Sequence, residues 1–238
     1  MFRRDSKGWK YRGDLRAMDL QEFKKQQIKE QLGIRADFGT IHAFIDFANV
    51  NHWFEYDDQN VDGDPLPADQ RLSIDLQKLH DFLGLFSGDI RFYYGHDPAK
   101  PGSIGFHRVS KYVFGQSRVF TKPLQKIKHY LNPAELAATA GLVNIDKLGS
   151  YIIIPKSNFD VEITLDAIRL AERYDTFCLL SGDADFAPLL RYLKGSGKKT
   201  ILVKGGYIQD TLKQASDITI NAQDIKQHIA MEKQKPGS

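Results

Sequence analysis

One cysteine, Cys178, in 238 residues rules out a disulfide framework and a thiolate zinc site. A reducing compartment, the cytoplasm, is the expected location. Long hydrophobic runs are missing too. The longest apolar stretches, Tyr151 to Ile154 and Phe177 to Leu180, fall far short of the roughly 20 residues that span a bilayer. The N-terminus carries no apolar signal core, so no membrane partner is expected. The seven histidines include no pair at metal-binding spacing, and His52 and His129 read as ordinary surface or loop residues, with substrate contact as the other reading. There is no glycine-rich phosphate loop of the dinucleotide or Walker kind, and Gly205-Gly206 reads as a turn. Cys178, beside Leu179 in an apolar strand, reads as core packing. What remains, 42% hydrophobic and 26% charged residues, is the composition of a globular chain long enough to bury a sizeable core.

The net charge of +3 is unevenly placed. Residues 1–40 hold ten Lys/Arg against six Asp/Glu, so the basic character belongs to an N-terminal arm. Phe2, Trp9 and Tyr11 interleave with its cations, and Leu20, Phe23, Ile28 and Leu32 recur near helical spacing from Asp19 to Leu32, ahead of Gly33. Such an arm either tracks a phosphate backbone or docks one amphipathic helix on the domain. From Thr40 onward, short apolar strands alternate with helical patterns, the signature of a parallel sheet with helices on both faces. Strands are expected at 41–46, 89–94, 150–154, 177–181 and 200–203, with 218–220 at an edge. Helices are expected at 72–84, 104–115, 160–174, 186–195, 207–215 and 222–231. Asp57–Asp69 reads as an acidic loop and Phe120–Tyr130 as a basic connector. The organisation expected is an arm over 1–39, an α/β domain over 40–231 and an unstructured tail over 232–238.

In such a sheet, ligands bind beyond the carboxyl ends of the strands, where strand order reverses. The first strand ends in Asp46, followed by Asn49 and Asn51, and the strand at 177–181 runs into Ser181-Gly182-Asp183-Ala184-Asp185. Asp160 opens a helix that also holds Asp166. Each acid has a plain structural reading: Asp160 and Asp185 as helix caps, Asp183 as a turn former. Those readings do not account for acids at the ends of two central strands at once. Converging carboxylates repel unless a multivalent cation neutralises them, and an oxygen-only donor set selects Mg²⁺ or Mn²⁺ over zinc. The common use of such a site is phosphoryl chemistry. On a regular helix Asp166 lies about 240° around from Asp160, so the two cannot both point squarely into one site, and Asp166 pairs as naturally with Arg169. Lys122, Lys126 and Lys128 form either a solvated face or a phosphate-binding edge, and Lys156, four residues before Asp160, has phosphate or carboxylate in reach.

These residues resemble a known family. Phe44-Ile45-Asp46-Phe47-Ala48-Asn49, Asn158-Phe159-Asp160 through Asp166-Ala167, Leu180-Ser181-Gly182-Asp183-Ala184-Asp185-Phe186, and Gly197-Lys198-Lys199-Thr200 entering a strand are similar to the NYN domain of LabA-like proteins, a branch of the PIN-like nucleases. The resemblance runs from Ile41 to Ile220. It implies a PIN-like α/β fold of about five parallel strands with helices on both faces. It also implies an acidic, divalent-metal site that hydrolyses RNA. The first-strand acid falls on Asp46, the middle acids on Asp160 and Asp166, and the final pair on Asp183 and Asp185. Asn49 matches the polar residue after the first acid. The chain departs from the pattern in its arm, in the Asp57–Asp69 loop and in an insertion at 122–140.

The reading that results is a metal-dependent ribonuclease. Asp46, Asp160, Asp183 and Asp185 would be catalytic, and with Asp166 they would ligate Mg²⁺ or Mn²⁺. Asn49, Asn51, Lys122, Lys126, Lys128 and Lys156 would bind RNA, single-stranded or structured, and a homo-oligomer is compatible with all of this. Two other readings stay open: a non-catalytic RNA-binding or scaffold module of the same fold, and a nuclease acting on structured DNA.

Overall fold

The computed structural model describes residues 2–5, 8–11, 20–139 and 141–235. The side chains of the basic and aromatic tail, Phe2, Trp9 and Tyr11 included, lie outside what is described, as do Asp19 and the terminal Pro236-Gly237-Ser238. The chain opens with a hairpin of β1 (Phe2–Asp5) and β2 (Gly8–Tyr11), then α1 (Leu20–Gln31), β3 (Ile41–Asp46) and α2 (Phe47–Val50). It continues through β4 (Gln70–Ile74), α3 (Leu76–Leu83), β5 (Asp89–His96), α4 (Pro101–Phe114), β6 (Val119–Pro123), β7 (Gln125–Tyr130) and α5 (Pro133–Ala138). Then come β8 (Asn144–Asp146), β9 (Gly149–Lys156), α6 (Asp160–Arg169), β10 (Thr176–Leu180) and α7 (Ala187–Gly195). The last elements are β11 (Lys199–Lys204), α8 (Asp210–Ala215), β12 (Ile218–Asn221), α9 (Lys226–Ile229) and β13 (Ala230–Gln234).

Six strands form the central sheet in the order β12-β11-β10-β3-β5-β6, and every neighbouring pair is parallel. Its strands alternate between two cores, because successive side chains point to opposite faces and helices cover both. Ile41, Ala43 and Ile45 of β3 join Cys178 and Leu180 of β10 and Ile201 and Val203 of β11 on one side. Phe44, Phe177, Leu179 and Leu202 pack on the other with Ile163 of α6 and Leu190 and Leu193 of α7. Burial pushes the Cys178 thiol up to about 12, in keeping with core packing.

Several expectations are corrected. The run at 150–154 is a strand, but β9 belongs to a separate antiparallel sheet in the order β7-β9-β8. A short apolar run reports burial, not which sheet does the burying. The sixth central strand is β6, inside what reads as a connector. It is an edge strand with one neighbour, half-exposed and ending in Pro123, so it lacks the continuous apolar signature. Its extension β7 is exposed along its whole length. The segment 72–84 divides into β4 and α3 at Asp75, whose carboxylate accepts from the backbone N–H of Gln77 (2.9 Å) and Lys78 (3.0 Å). The terminal segment 222–231 and the tail from 232 break differently too. A 3-10 turn at Ala222–Ile225 leads into α9, and β13 pairs antiparallel with β4 through Gln234. At the other end, Ile34 and Phe38 are buried in the core, so packing begins before residue 40. Along α1, Leu20 and Phe23 are exposed, while Ile28 and Leu32 pack against the core. No described helix is long and apolar enough to cross a membrane.

Candidate active site

Chain order runs from β3 out to β5 and β6, then returns to build β10, β11 and β12 on the other side. Strand order therefore reverses between β3 and β10, where the carboxyl ends leave a crevice. A cleft of about 450 Å³ opens there, lined by Asp46, Asn49, Asn51 and His52 after β3, by Lys156 to Asp160 ahead of α6, and by Asp183 after β10.

Asp46 ends β3 opposite Tyr93 of β5, one residue beyond the Ile45–Leu180 pair with β10, and is only 8% exposed. Its Oδ2 accepts a hydrogen bond from Ser181 Oγ at 3.0 Å. That hydroxyl in turn accepts from the Asp183 N–H at 3.1 Å, so one serine ties the two strand ends together. Burial pushes the Asp46 carboxyl up to about 6. The Ser181 bond opposes the rise, and the charges of Asp160 and Asp183 add to it. Asp160, Asp183 and Asp185 each offer a carboxylate oxygen within 4.8 Å of the others. The Asp160 carboxyl is raised above its usual value by burial, against the Asn158 hydrogen bond, with Asp183 and Asp185 contributing repulsion.

The capping readings resolve by position. Asp183 caps the 3-10 turn Ala184–Phe186, its Oδ1 accepting from the Asp185 N–H at 3.0 Å. Asp185 lies inside that turn and caps nothing. Asn158 bonds the Asp160 N–H at 2.8 Å, and Asp160, the first residue of α6, makes no cap bond of its own. Asp183 thus has a structural duty as well as a place in the cluster. Asp160 and Asp185 have no comparable duty.

Asp166 is placed elsewhere. Its Oδ2 accepts from Tyr93 Oη at 2.7 Å and from Arg91 Nη1 at 3.2 Å, so its partner is a guanidinium on β5, not Arg169 and not the three acids. This follows from its position around α6 relative to Asp160. Among the basic residues, Lys156 lines the cleft and its charge favours ionised Asp160. Lys122 donates to Glu162 at 2.7 Å and lies 4.5 Å from the Phe159 ring centroid, at the margin of the cleft. Lys126 and Lys128 stand on exposed β7, outside it, and Lys128 is engaged by Asp146 at 2.6 Å. Asn49 Oδ1 accepts from the Gly182 N–H (2.9 Å) and Trp53 Nε1 (3.2 Å), which pins the acid turn to α2. Asn51 lines the cleft, and so does His52, paired with Glu55 at 2.8 Å. His129 faces Glu135 on the outlying sheet. The role of Ser181 is missed by sequence reasoning. A hydroxyl directly after an apolar strand, one residue ahead of Gly-Asp, is the signal that could have found Ser181.

The NYN domain profile matches residues 41–224. The chain belongs to the NYN domain family. No functionally curated protein matches it. A crystal structure of a protein of unknown function from Vibrio parahaemolyticus RIMD 2210633 is similar, with a TM-score of 0.54 at 20% sequence identity over 82% of this chain and 98% of that one. At that identity the likeness speaks for the fold alone, a parallel sheet flanked by helices. The NYN domain points to nuclease-type hydrolysis, and its three-aspartate cluster sits where this fold puts ligands. The donor set suits a hard divalent cation: oxygens only, close enough to repel, with Asp46 and Asp160 already held above their ordinary carboxyl range.

Proposed function

We propose that this NYN domain, of the LabA-like branch, is a divalent-metal-dependent ribonuclease that hydrolyses RNA phosphodiester bonds. The observation that carries the reading is the convergence of Asp160, Asp183 and Asp185 within 4.8 Å beside buried Asp46. Asp160, Asp183 and Asp185, with Asp46 behind them, would hold Mg²⁺ or Mn²⁺. Such an ion, when bound, lowers the pKa of an attacking water and screens the phosphate charge. The chain's own groups do the rest. Ser181 and Asn49 fix the strand ends so that the carboxylates are placed in advance, which saves reorganisation during the reaction. Lys156, across the cleft, meets a phosphate oxygen, and the amide of Asn49 has donors left for another. Lys122 and Lys126 extend a basic edge along β6 and β7 for the strand beyond the scissile bond. Asp166 holds Arg91 and Tyr93 and touches no substrate. RNA in the cytoplasm, single-stranded or structured, is the substrate of this reading.

The test is cleavage of end-labelled RNA and DNA of the same sequence with Mg²⁺, Mn²⁺ or EDTA. RNA cleavage restored by either metal and lost in Asp183→Asn is expected. Cleavage that persists in excess EDTA refutes the metal requirement, and DNA cut as fast as RNA refutes the substrate assignment.

A further inference from the structure

Two side chains near this edge have no part in the mechanism above. Tyr207 is 89% exposed and Tyr56 is 92% exposed, and neither makes a hydrogen bond or ring contact among the described residues. Leaving so large a ring in water forgoes the burial that aromatic side chains ordinarily supply. The way Tyr207 is presented is therefore informative.

The loop after β11 is built to hold it outward. Gly205 lies so close to Trp53 that a Cβ would overlap the indole, and Gly206 turns the chain with φ +59, a left-handed value suited to glycine. Lys204 Nζ donates to the Gly206 carbonyl at 2.6 Å. On the far side Ile208 is buried, its Cγ2 3.3 Å from where Gly182 would carry a Cβ. Tyr207 is thus a solvated ring between two anchored residues, next in sequence to one that packs on the acid turn. Trp53 joins the same unit, since its Nε1 and the Gly182 N–H share Asn49 Oδ1. Tyr56 follows in the turns that begin with cleft-lining Asn51 and His52, and the next residue, Asp57, is held by Gln223 Nε2 and Lys226 Nζ. Neither ring lines the cleft itself; each is displayed on a braced loop that borders it, Tyr56 four residues after cleft-lining His52 and Tyr207 next to the Ile208 that packs on Gly182.

We propose that Tyr207, on the loop that packs against the acid turn, with Tyr56 on the turn after His52, is a stacking platform for unpaired nucleobases, so that the site selects single-stranded over base-paired substrate. The proposal rests on the nuclease reading for its substrate class and adds the selectivity. An exposed phenol offers a π-face to any base, which favours binding without sequence preference. In a duplex those base faces are already stacked on one another, so only splayed or unpaired nucleotides can use it.

The experiment uses the full chain, an unstructured RNA oligonucleotide, a hairpin of the same base composition, and Mn²⁺. Tyr207→Ala should raise KM for the unstructured RNA about tenfold, within the range of stacking on one base, with kcat unchanged. Tyr207→Phe and Tyr207→Trp should retain wild-type KM. Tyr112→Ala is the control: Tyr112 is 88% exposed but sits near the end of α4, which leads to the amino end of β6. Because Tyr207 is so exposed, its variants should melt with wild type. An unchanged KM in Tyr207→Ala, or a hairpin cleaved as well as the unstructured strand, overturns the proposal. A binding arm in EDTA separates it from the nuclease reading. Fluorescence anisotropy compares the oligonucleotide with an abasic sugar-phosphate of equal length. Tighter binding of the base-bearing strand, lost in Tyr207→Ala, supports stacking even if no RNA is cleaved, in which case the nuclease reading alone fails. Equal binding of the two, or none of either, overturns stacking and leaves any metal-dependent cleavage standing.

Discussion

Asp46→Asn isolates the cost of holding a charge at the end of a buried strand. The Asp46 carboxyl is raised from 3.8 to about 6, chiefly by burial. In the unfolded chain it returns to the lower value, so the native state binds the proton more tightly between the two. The stability it contributes is fully present below pH 3.8 and is lost as pH rises through about 6. Above that the ionised group works against folding by about 3 kcal/mol. Asparagine has nearly the same shape, keeps an oxygen for the Ser181 hydroxyl and carries no charge. At pH 8, without metal, Asp46→Asn should therefore melt higher, by about 6 °C or more for a chain of this size. The gain should shrink as pH falls from 6.5 to 4.5. Thermal melts in EDTA across that range provide the assay. Millimolar Mn²⁺ should then raise the wild-type melting temperature and leave the variant nearly unmoved, since a ligand stabilises only the state that binds it. A difference between the two proteins that stays constant from pH 4.5 to 8 would refute the reasoning, because a burial penalty on an ionised group must titrate.

Asp166→Ala should lose about 2 kcal/mol of stability, because the Tyr93 hydroxyl keeps its burial without its acceptor and Arg91 is left with Asp89 alone, while kcat of the folded fraction stays near wild type. Lost cleavage with an unchanged melting curve would instead make Asp166 part of the reaction. Lys156→Ala should raise KM for single-stranded RNA and lower the slope of log affinity against log salt by about 0.7, as one lost phosphate contact requires. An unchanged slope would limit Lys156 to its effect on Asp160. Gly205→Ala should cost about 1 to 3 kcal/mol by forcing a methyl into the Trp53 ring, and a melting temperature equal to wild type would contradict that packing.

The parallel sheet and the position of the candidate site were legible in local sequence. Apolar strands ending abruptly in Asp46 and Ser181-Gly182-Asp183 carry their own period and terminus, and alternation with helical segments requires crossovers that leave carboxyl ends on one edge. Helix angle alone argues that Asp160 and Asp166 cannot both point squarely into one site, yet the ligand set expected from sequence still includes Asp166. What replaced the site for Asp166 was decided only in three dimensions, since the guanidinium and hydroxyl that hold it come from β5. Long-range pairing was equally invisible. β4 and β13 lie about 160 residues apart in the chain and neither is strongly apolar; each becomes a strand because the other supplies its hydrogen bonds. β6 and β9 show the same limit from two sides: a polar strand admitted to the central sheet as its edge, and an isoleucine-rich strand placed outside it. The raised Asp46 carboxyl, the Ser181 hydroxyl joining two strand ends and the outward Tyr207 all depend on which groups tertiary packing surrounds or leaves in water. Local sequence determines period and termini, whereas burial and partnership are properties of the folded whole.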